Sequence, residues 1–534
     1  MNYREDFLKR RTAQADATAA PEGAPEKKRE MSVKGLRQVF GQSIIGAAKM
    51  TRLEESWAAF PFAAAAYIYQ HWQTLVSRSR IGCEDYDHLR RFISLIKDNV
   101  PGPNGFRLTS APLEPDGTVD RVAARAIMKA FKEWSRPDNC DFEGRMSRAE
   151  MERLATATAA KDGEAIALIH TGPDAGPWGF SVELKDAMLL NPRQYEKLPN
   201  GNYVRHALEF PEGGGRVQAF HFMEQDEQQM GYFVSYRGTK RIPAENVVHW
   251  FVPEIVGQKR GLPWTRTALW RLRMLSGGED AALTNFRISA SQMGFFTDTG
   301  NDDVPDEDLP MDIDPGTFTN IGQRDFKTFN PQFPDAAIDP FIRTMLRSIA
   351  TGLLTSYHSL SGDLTSVSFS SIRQGTLDDR QSFLAIQGSQ EDQWCLPIFD
   401  RWLKYSLLAG KIKLPNGRPL PFEKYQKYTT AAFTGRRWPW IDPSSEANAA
   451  QIMIAQRLRT RSEIIRDIGD RDPEEVWEEM EAENKQMSER GIVPLIPAGS
   501  APQLAPGESA TVPNDPPEEP TAETTPPAAP KKPQ

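Results

Sequence analysis

The pattern of hydrophobic and polar positions predicts two long helices near the middle of the chain. The first spans Thr265–Ser291, with an apolar stripe that includes Leu272, Leu275 and Phe286. The second spans Asp339–Leu354, and its apolar residues recur at steps of three or four: Ile338, Ile342, Met345, Ile349 and Leu353. Such spacing places the residues on one face of an α-helix. Each stripe needs an apolar partner, so the two helices are expected to pack together.

The helix ends and an internal glycine pair give further expectations. Asp339 is suited to cap the second helix, with Pro340 at its first position. Gly277-Gly278 interrupts the first helix, and each glycine costs roughly 1 kcal/mol relative to alanine in an exposed helix interior. Close packing or a bend would explain the pair. Two ordinary core helices of a large α/β enzyme fit the same periodicity, so the pattern alone leaves that interpretation open.

Between the two helices lies a non-helical insert, Gln292–Pro334. It begins with Gly294-Phe295-Phe296-Thr297, and its strand candidates are Thr317–Ile321 and Asp325–Phe329. An acidic stretch, Asp302–Asp314, lacks the ligand spacing of an EF-hand, so a solvated loop is favoured over a metal site. The predicted layout is a pair of helices with a small β-rich module at their far end.

Upstream of the helix pair, the period of the apolar residues changes from helical to alternating. Helices are predicted over Trp57–Ile96, Val122–Trp134 and Ser147–Ala160. An antiparallel β region follows, with turn chemistry such as Asn200-Gly201 between short β-favouring segments. These segments are Ala165–His170, Phe180–Leu184, Tyr203–Phe210, Arg216–Phe222, Tyr232–Tyr236 and Ile242–Phe251.

Downstream of the pair, Ser359–Ser371 consists mostly of small polar residues and carries one charge, Asp363, so a flexible loop is predicted. Helix is expected from about Ile372 to Gly410, followed by the aromatic-rich connection Lys413–Trp440 and a terminal set of helices. The segments Arg11–Glu30 and Pro494–Gln534 have the composition of disordered chain.

Composition narrows the function. The 534 residues are 39% hydrophobic and 25% charged, so several subdomains with ordinary cores are expected. A net charge of −8 argues against a broad basic face that grips nucleic acid, but not against a surface that nucleic acid slides past. The most apolar run, Trp57–Tyr69, is about half a membrane span, so no membrane partner is expected.

The motifs of common catalytic and metal sites are absent from the sequence. It has no GxxxxGK[ST] loop, no GxSxG elbow and no HExxH pair, and its three cysteines lie far apart. No catalytic residue, metal or cofactor is therefore predicted. The acidic stretch and the Ser-rich loop leave one alternative open: an α/β hydrolase or a metal-dependent nucleic-acid-processing enzyme. A pore at a membrane surface, which rests only on Trp57–Tyr69, is the weakest alternative.

Several separated blocks, in the right order, resemble the lambda-type family of tailed-bacteriophage portal proteins. The resemblance covers about Ser77–Glu479 and leaves both tails unmatched; the acidic insert and the Pro-rich C-terminus depart from the family. The blocks are Ser77–Arg80, Asn99–Gly102, Asp162–Glu164, Arg241–His249, Gly257–Trp264, Arg271–Leu275, Glu279–Ala282, Ala290–Phe296, Phe369–Gly375, Asp379-Arg380, Trp438–Pro443, Glu446-Ala447 and Arg461–Ile465.

The resemblance implies an α+β portal fold with a wing, a two-helix stem, a small β-containing clip and a helical crown. The corresponding divisions are 1–56 N-terminal arm, mostly disordered; 57–264 wing; 265–291 first stem helix; 292–334 clip; 335–358 second stem helix; 359–371 tunnel loop; 372–444 wing and channel helices; 445–493 crown; and 494–534 disordered tail.

The resemblance also implies three sets of functional residues. The tunnel loop would line the DNA channel with Ser361, Gly362, Thr365, Ser366, Ser368 and Ser370. The stem helices would pack through Leu272, Leu275, Phe286, Ile342, Met345 and Ile349. The clip would contact the terminase through Phe295, Phe296, Phe318 and Phe326. Small hydroxyl residues suit a channel, because a ring of lysines would add salt-dependent holding of a passing duplex.

A non-enzymatic role is implied in turn. Family members form a ring, usually of twelve subunits, at one capsid vertex, and double-stranded DNA enters and leaves through its centre. The implied partners are other copies of the chain, the large terminase that supplies ATP hydrolysis, the major capsid protein or scaffold, and the head-completion (connector) proteins. The implied location is the virion, with assembly in the host cytoplasm.

Overall fold

The computed structural model describes residues 63–224, 238–290, 294–298, 324–328, 335–365, 368–469, 471 and 473–491. Within these ranges helices and sheets alternate in blocks, and the named strands pair antiparallel. The predicted α+β class is confirmed.

Helices dominate the first part of the described chain. The predicted helical stretch ending at Ile96 divides into α1 (Ala64–Asp85) and α2 (Asp87–Asn99), because Tyr86 between them is extended. The helix Arg148–Asp162 begins at Ser147, which forms a capping box with Glu150. The Ser147 side-chain oxygen accepts from the Glu150 backbone N–H. The elements that follow α2 are β1 (Arg107–Ser110), α3 (Arg121–Trp134), α4 (Pro137–Cys140) and α5 (Arg148–Asp162).

Two antiparallel sheets form the β region. The three-stranded sheet has the order β3-β2-β9, with β2 (Glu164–Thr171), β3 (Phe180–Lys185) and β9 (Val247–Phe251). The five-stranded sheet runs in sequence order through β4 (Tyr195–Lys197), β5 (Tyr203–Arg205), β6 (Leu208–Phe210), β7 (Ala219–Met223) and β8 (Thr239–Pro243).

Two of the predicted strands are wrong in extent, since each is two strands. In 203–210, His206 and Ala207 have positive φ angles of 55° and 65° and form the tight turn between β5 and β6. In 242–251, the short 3₁₀ helix Ala244–Asn246 follows Pro243 and carries the chain from one sheet to the other. The predicted strand Tyr232–Tyr236 lies outside the described residues.

The two long helices are α6 (Arg266–Ala290) and α7 (Asp335–Gly352), and the strands β10 (Gly294–Asp298) and β11 (Arg324–Thr328) pair between them. The predicted start of the second helix is wrong, because Pro340 lies inside α7 rather than at its first position. A proline there removes one backbone hydrogen bond from the helix, and α7 continues through it. The strand candidate Thr317–Ile321 and the acidic stretch Asp302–Asp314 lie outside the described residues.

The predicted Ser-rich loop is shorter than expected at both ends. A helical turn, α8 (Tyr357–Ser361), includes Ser359–Ser361, and α9 (Phe369–Gln390) already includes Ser370 and Ser371. A π-helical segment, Glu391–Cys395, joins α9 directly to α10 (Leu396–Leu408). The remaining elements are α11 (Tyr425–Tyr428), β12 (Ala431–Thr434), α12 (Pro443–Ala455), α13 (Arg461–Gly469) and α14 (Pro473–Glu489).

Residues distant in sequence complete the main core. The ring centroids of Phe131 on α3 and Trp402 on α10 are 4.9 Å apart, and Trp402 is fully buried. β12 pairs with β1, so that Phe433 lies opposite Leu108. The segment that follows α9 therefore closes the core begun by the N-terminal helices. A second cluster packs α1, through Ile68, Trp72 and Val76, against the five-stranded sheet.

Candidate functional site

The long helices α6 and α7 pack side by side in opposite directions. The Thr267 hydroxyl donates to the Gly352 carbonyl at 2.6 Å, and one turn along α6 the Arg271 guanidinium donates to the Ser348 carbonyl at 3.4 Å. A step of four residues toward the C-terminus of α6 therefore matches a step of four residues toward the N-terminus of α7, which is the antiparallel arrangement. This arrangement projects the β10–β11 pair from the end of the helices farthest from the main core.

The predicted apolar stripes of the stem meet between these helices, but they are covered unevenly. Leu272, Leu275 and Ile349 are buried, whereas Ile342 and Met345 are half-buried against the same cluster. Phe286, farther along α6 at the same helical spacing, is 52% exposed. The pair is therefore well packed next to the core and more open toward β10–β11.

A second apolar face lies on the opposite side of α6. At 3.6 residues per turn, Trp270, Met274 and Gly277 lie on one side of the helix and Leu272 and Leu275 on the other. Trp270 is 68% exposed and Met274 is 56% exposed. Among the described residues, no atom lies within 4 Å of where a Cβ on Gly277 or Gly278 would stand, and α6 runs continuously through the pair. The predicted close packing at these glycines is not supplied by the described part of the same chain.

The predicted clip residues fall on the strands between the helices. In the antiparallel register, Phe296 on β10 lies directly opposite Phe326 on β11, and Phe295 lies opposite Lys327. Phe318 lies outside the described residues. The two strands thus bring three of the four predicted phenylalanines onto one short hairpin-like pair.

The predicted tunnel-loop residues are divided among two helix ends and a short connection. Ser361 ends α8, and Gly362 follows it with a φ of +71°, a left-handed conformation that suits glycine. Thr365 donates its backbone N–H to the Asp363 carboxylate at 2.9 Å. Ser368 caps α9 by accepting from the Ser371 backbone N–H, and Ser370 lies in the first turn. Ser366 lies outside the described residues.

The single charge in this segment is held in its ionised form. Hydrogen bonds from Thr365, through its hydroxyl and its N–H, and from the Tyr357 hydroxyl lower the pKa of Asp363 to about 2. The carboxylate is therefore negative at neutral pH, with the Arg343 guanidinium 4.0 Å away. The segment therefore combines several hydroxyl groups with one negative charge.

A buried ionic cluster joins the sheets to the start of α6. The Glu164 carboxylate accepts from Arg260 Nε at 2.6 Å, from His249 Nε2 at 2.8 Å and from Gly261 N at 2.9 Å. Burial opposes ionisation of Glu164, but the Arg260 charge and the His249 hydrogen bond lower its pKa to about 2. Arg260 is fully buried and also donates to the carbonyls of Ala187, Leu190 and His206. The cluster fixes the segment that enters α6.

Two observations on the described ranges concern the metal-dependent and membrane alternatives. No three His, Cys, Asp or Glu side chains come close enough there to hold a metal ion. None of the helices there has the length and hydropathy of a membrane-spanning segment. The acidic residues that motivated the enzyme alternative, Asp302–Asp314, lie outside those ranges.

Sequence reasoning gave no role to two residues that the structure brings to the start of α8. Gly375 and Asp379 lie on α9 and contact His358 and Ser356. Both belong to blocks that carry the family resemblance. No local pattern links them to α8, because Asp379 lies 23 residues from Ser356.

The comparisons with known proteins agree on one family. A sequence profile described as phage portal protein, lambda family, matches residues 50–387, well over half of the chain. The chain is also 29% identical over 467 residues to a probable portal protein of Halomonas phage phiHAP-1, with 83% of this chain and 87% of that protein covered.

Solved structures of gene transfer agent particles were also found. A chain of the native virion matches with a TM-score of 0.43 and 12% identity over 77% of this chain and 96% of that one. A chain of the native neck computed with C12 symmetry matches with a TM-score of 0.40 and 12% identity over 74% of this chain and 93% of that one. The profile match shows the family, as the resemblance predicted: the chain belongs to the lambda family of phage portal proteins, and its role is that of a portal protein.

Proposed function

We propose that copies of this chain stand in a ring, of twelve subunits, around a channel for double-stranded DNA, and that α6 and α7 form its stem. One observation carries the proposal: α6 has apolar residues on two opposite faces, and the described part of its own chain covers only one of them. A helix that is apolar on both sides is normally buried on both sides.

A neighbouring copy is the partner that fits the uncovered face of α6. Burying a side chain such as Met274 contributes roughly 1.5–3 kcal/mol. The glycine pair leaves the helix backbone accessible to a neighbouring helix. Because the pair costs about 1 kcal/mol per residue in helix stability, a close contact with that neighbour is the expected compensation. Contacts between two different faces of identical chains generate a closed ring when the rotation is right.

The chemistry of the loop between α8 and α9 suits a channel through which DNA moves. Affinity for a duplex rises with the number of phosphates that Lys and Arg neutralise, and such affinity would resist translocation. The segment instead offers Ser361, Thr365 and Ser368 with the ionised Asp363. Weak contact of this kind permits sliding, and it supports the assignment of the segment as the tunnel loop.

The other elements are assigned from the resemblance to the portal family. We propose that the β10–β11 pair is the clip, which binds the large terminase during packaging and the head-completion proteins afterwards. Helices α12, α13 and α14 form the crown inside the shell, and the wing contacts the major capsid protein or scaffold. The assembled ring belongs to one vertex of the virion, is built in the host cytoplasm, and performs no bond chemistry.

Negative-stain electron microscopy of the purified chain tests the proposal. The expected result is annular particles with a central hole wide enough for a duplex. The Trp270→Asp variant is expected to abolish the annuli without unfolding the wing, because it places a charge on the outer face of α6. Annuli at the wild-type yield from Trp270→Asp would remove this face from the interface between copies.

A further inference from the structure

We propose that Asp379 and Gly375 of α9 are positioning residues that clamp α8 and so fix the approach to the tunnel loop. The clamp is defined by Ser356, His358 and Ser359 on one side and by Gly375 and Asp379 on the other. The geometry of the clamp stands on its own contacts, whereas its effect on DNA rests on the proposed function.

Asp379 caps α8 from a different helix. Its carboxylate accepts from the Ser356 backbone N–H at 2.6 Å, from the Ser356 hydroxyl at 2.7 Å and from the Ser359 hydroxyl at 2.6 Å. Asp379 is only 6% exposed. Ser356 is the N-cap residue of α8, yet its own side chain makes no capping hydrogen bond. Hydrogen bonds to a carboxylate are stronger than those between neutral groups, so Asp379 supplies the main polar restraint on this turn.

Gly375 allows the two helices to approach. A Cβ at this position would lie 2.4 Å from His358 Cε1 and 3.3 Å from Ser356 Cβ, so any side chain would displace the His358 ring and crowd Ser356. Glycine destabilises a helix interior relative to alanine. The close approach of α8 is the compensating interaction, and it brings Ser356 within reach of Asp379.

Neighbouring contacts extend the clamp in both directions. Arg91 on α2 donates from Nε to the Ser359 carbonyl at 3.2 Å, and the Tyr357 hydroxyl donates to Asp363 at 2.9 Å. Leu354, which lies between the end of α7 and the clamp, has a positive φ of 55°. A bulky residue keeps such a conformation only where its surroundings hold it. The clamp therefore lies between the turn at Leu354 and the Asp363 side of the loop, and it fixes the residues that connect them.

Hydrogen exchange tests the clamp, with a matched control one residue away. Asp379→Asn removes the charge that accepts three hydrogen bonds. Asp378→Asn instead changes an exposed carboxylate that, among the described residues, accepts only from Gln374 on the same helix. In Asp379→Asn, exchange of backbone amides in 356–361 is expected to rise by roughly tenfold or more, with wild-type exchange in α3 and α10. Asp378→Asn is expected to exchange like wild type. Equal protection of 356–361 in all three proteins would overturn the clamp.

A second set of variants covers the case in which Asp379→Asn does not fold. Ser359→Ala removes one of the three hydrogen bonds, and Gly375→Ala displaces the His358 ring from its place against α9. Each is expected to raise exchange in 356–361 by several fold, since one hydrogen bond of this kind is worth about 1 kcal/mol or more. If neither variant changes exchange there, the clamp is refuted regardless of Asp379→Asn.

The role of the clamp in DNA passage needs a separate readout. Particles assembled with Asp379→Asn or Gly375→Ala are expected to contain normal rings and to lose a larger fraction of packaged genomes than particles with Asp378→Asn. Raised exchange with normal packaging and retention would keep the clamp but contradict its positioning of a DNA-contacting loop. Absence of rings from the wild-type chain would instead contradict the proposed function.

Discussion

The wing and the stem use tryptophan in opposite ways, and the contrast indicates which region folds alone. In the wing, Trp72, Trp134 and Trp402 are fully buried within one chain. In the stem, Trp270 is 68% exposed on a helix whose other face is already packed. A region whose large side chains are covered by its own chain does not need a neighbour to be stable. Under the proposed function, another copy covers the exposed face of the stem.

Charged residues repeat the same contrast. In the wing, Arg260 and Glu164 are both fully buried and their guanidinium and carboxylate groups are paired. In the stem, Arg343 and Asp339 form an exposed pair four residues apart, an arrangement that contributes little to stability. The wing should therefore respond to a lost charge by unfolding, whereas the stem should respond to a new charge by failing to assemble.

The largest expected effect comes from breaking the buried wing pair. Arg260→Met leaves Glu164 buried without its main partner and removes three donors to backbone carbonyls. Breaking such a pair costs about 3–5 kcal/mol, so thermal unfolding should begin several degrees lower and the soluble yield should fall. Arg145→Met, at an exposed wing site, is the control and should leave the unfolding temperature unchanged. An unchanged unfolding temperature in Arg260→Met would contradict the role of the cluster.

The next effect is a pH dependence of wing stability. Burial lowers the pKa of His206 from 6.5 to about 4, and its Nδ1–H donates to the Pro192 carbonyl at 2.7 Å. Because the folded pKa lies below the unfolded one, the unfolded chain binds the proton first as pH falls. Stability from this group is present above pH 6.5 and is lost as pH falls through about 4, by about 3 kcal/mol in total.

His206→Asn isolates that contribution. Asparagine tolerates the positive φ at this position and retains a donor for Pro192. The variant is expected to lose less stability than wild type between pH 6.5 and 4, as measured by denaturant unfolding at fixed pH values. Parallel losses in the two proteins would show that another group governs the acid sensitivity.

Opposite faces of the stem provide the sharpest comparison. Met274→Asp changes the outer face of α6 and is expected to leave the unfolding of the protomer nearly unchanged while preventing ring formation. Ile349→Asp buries an unpaired charge between α6 and α7 and should destabilise the protomer as well. Analytical ultracentrifugation and thermal unfolding of both variants distinguish the two results. Equal loss of protomer stability in both would mean that the outer face is not an interface between copies.

The smallest effect concerns the glycine pair. Gly277→Ala should raise the stability of the isolated protomer by about 1 kcal/mol or less, because alanine favours helix and the added Cβ meets no described atom of the chain. The same change should lower the yield of rings if a neighbouring helix passes close to this point. A stabilised protomer that forms rings normally would show that the pair serves another purpose.

These regions also differ in how much of their structure sequence reasoning could predict. The stripes of α6 and α7 are periodic over several turns, so both helices and their buried residues Leu272, Leu275 and Ile349 followed from spacing. The start of α7 did not follow from the sequence, because the helix continues through Pro340 and does not begin there. The division of 242–251 into β8 and β9 by the 3₁₀ helix Ala244–Asn246 was not predicted either. It depends on the fact that β8 and β9 join different sheets.

The candidate site was predictable where the signal is local and not where partners are distant. The composition of Ser359–Ser371 located the loop, but Asp379 and Gly375, which hold its beginning in a helical turn, are far away in sequence. Glu164 and Arg260 are 96 residues apart, and no local sequence pattern predicts that they pair. Within the described residues, the outer face of α6 has no intramolecular partner that a periodicity argument could have named.

Mass photometry of the purified full chain, wild type beside Trp270→Asp, tests the central claim most directly. The prediction is a wild-type species at the mass of a closed ring, twelve times that of one chain, and a Trp270→Asp species at the mass of one chain with a wild-type unfolding temperature for the wing. A wild-type chain that stays monomeric at every concentration and salt condition, or a Trp270→Asp chain that forms the same ring, would contradict it.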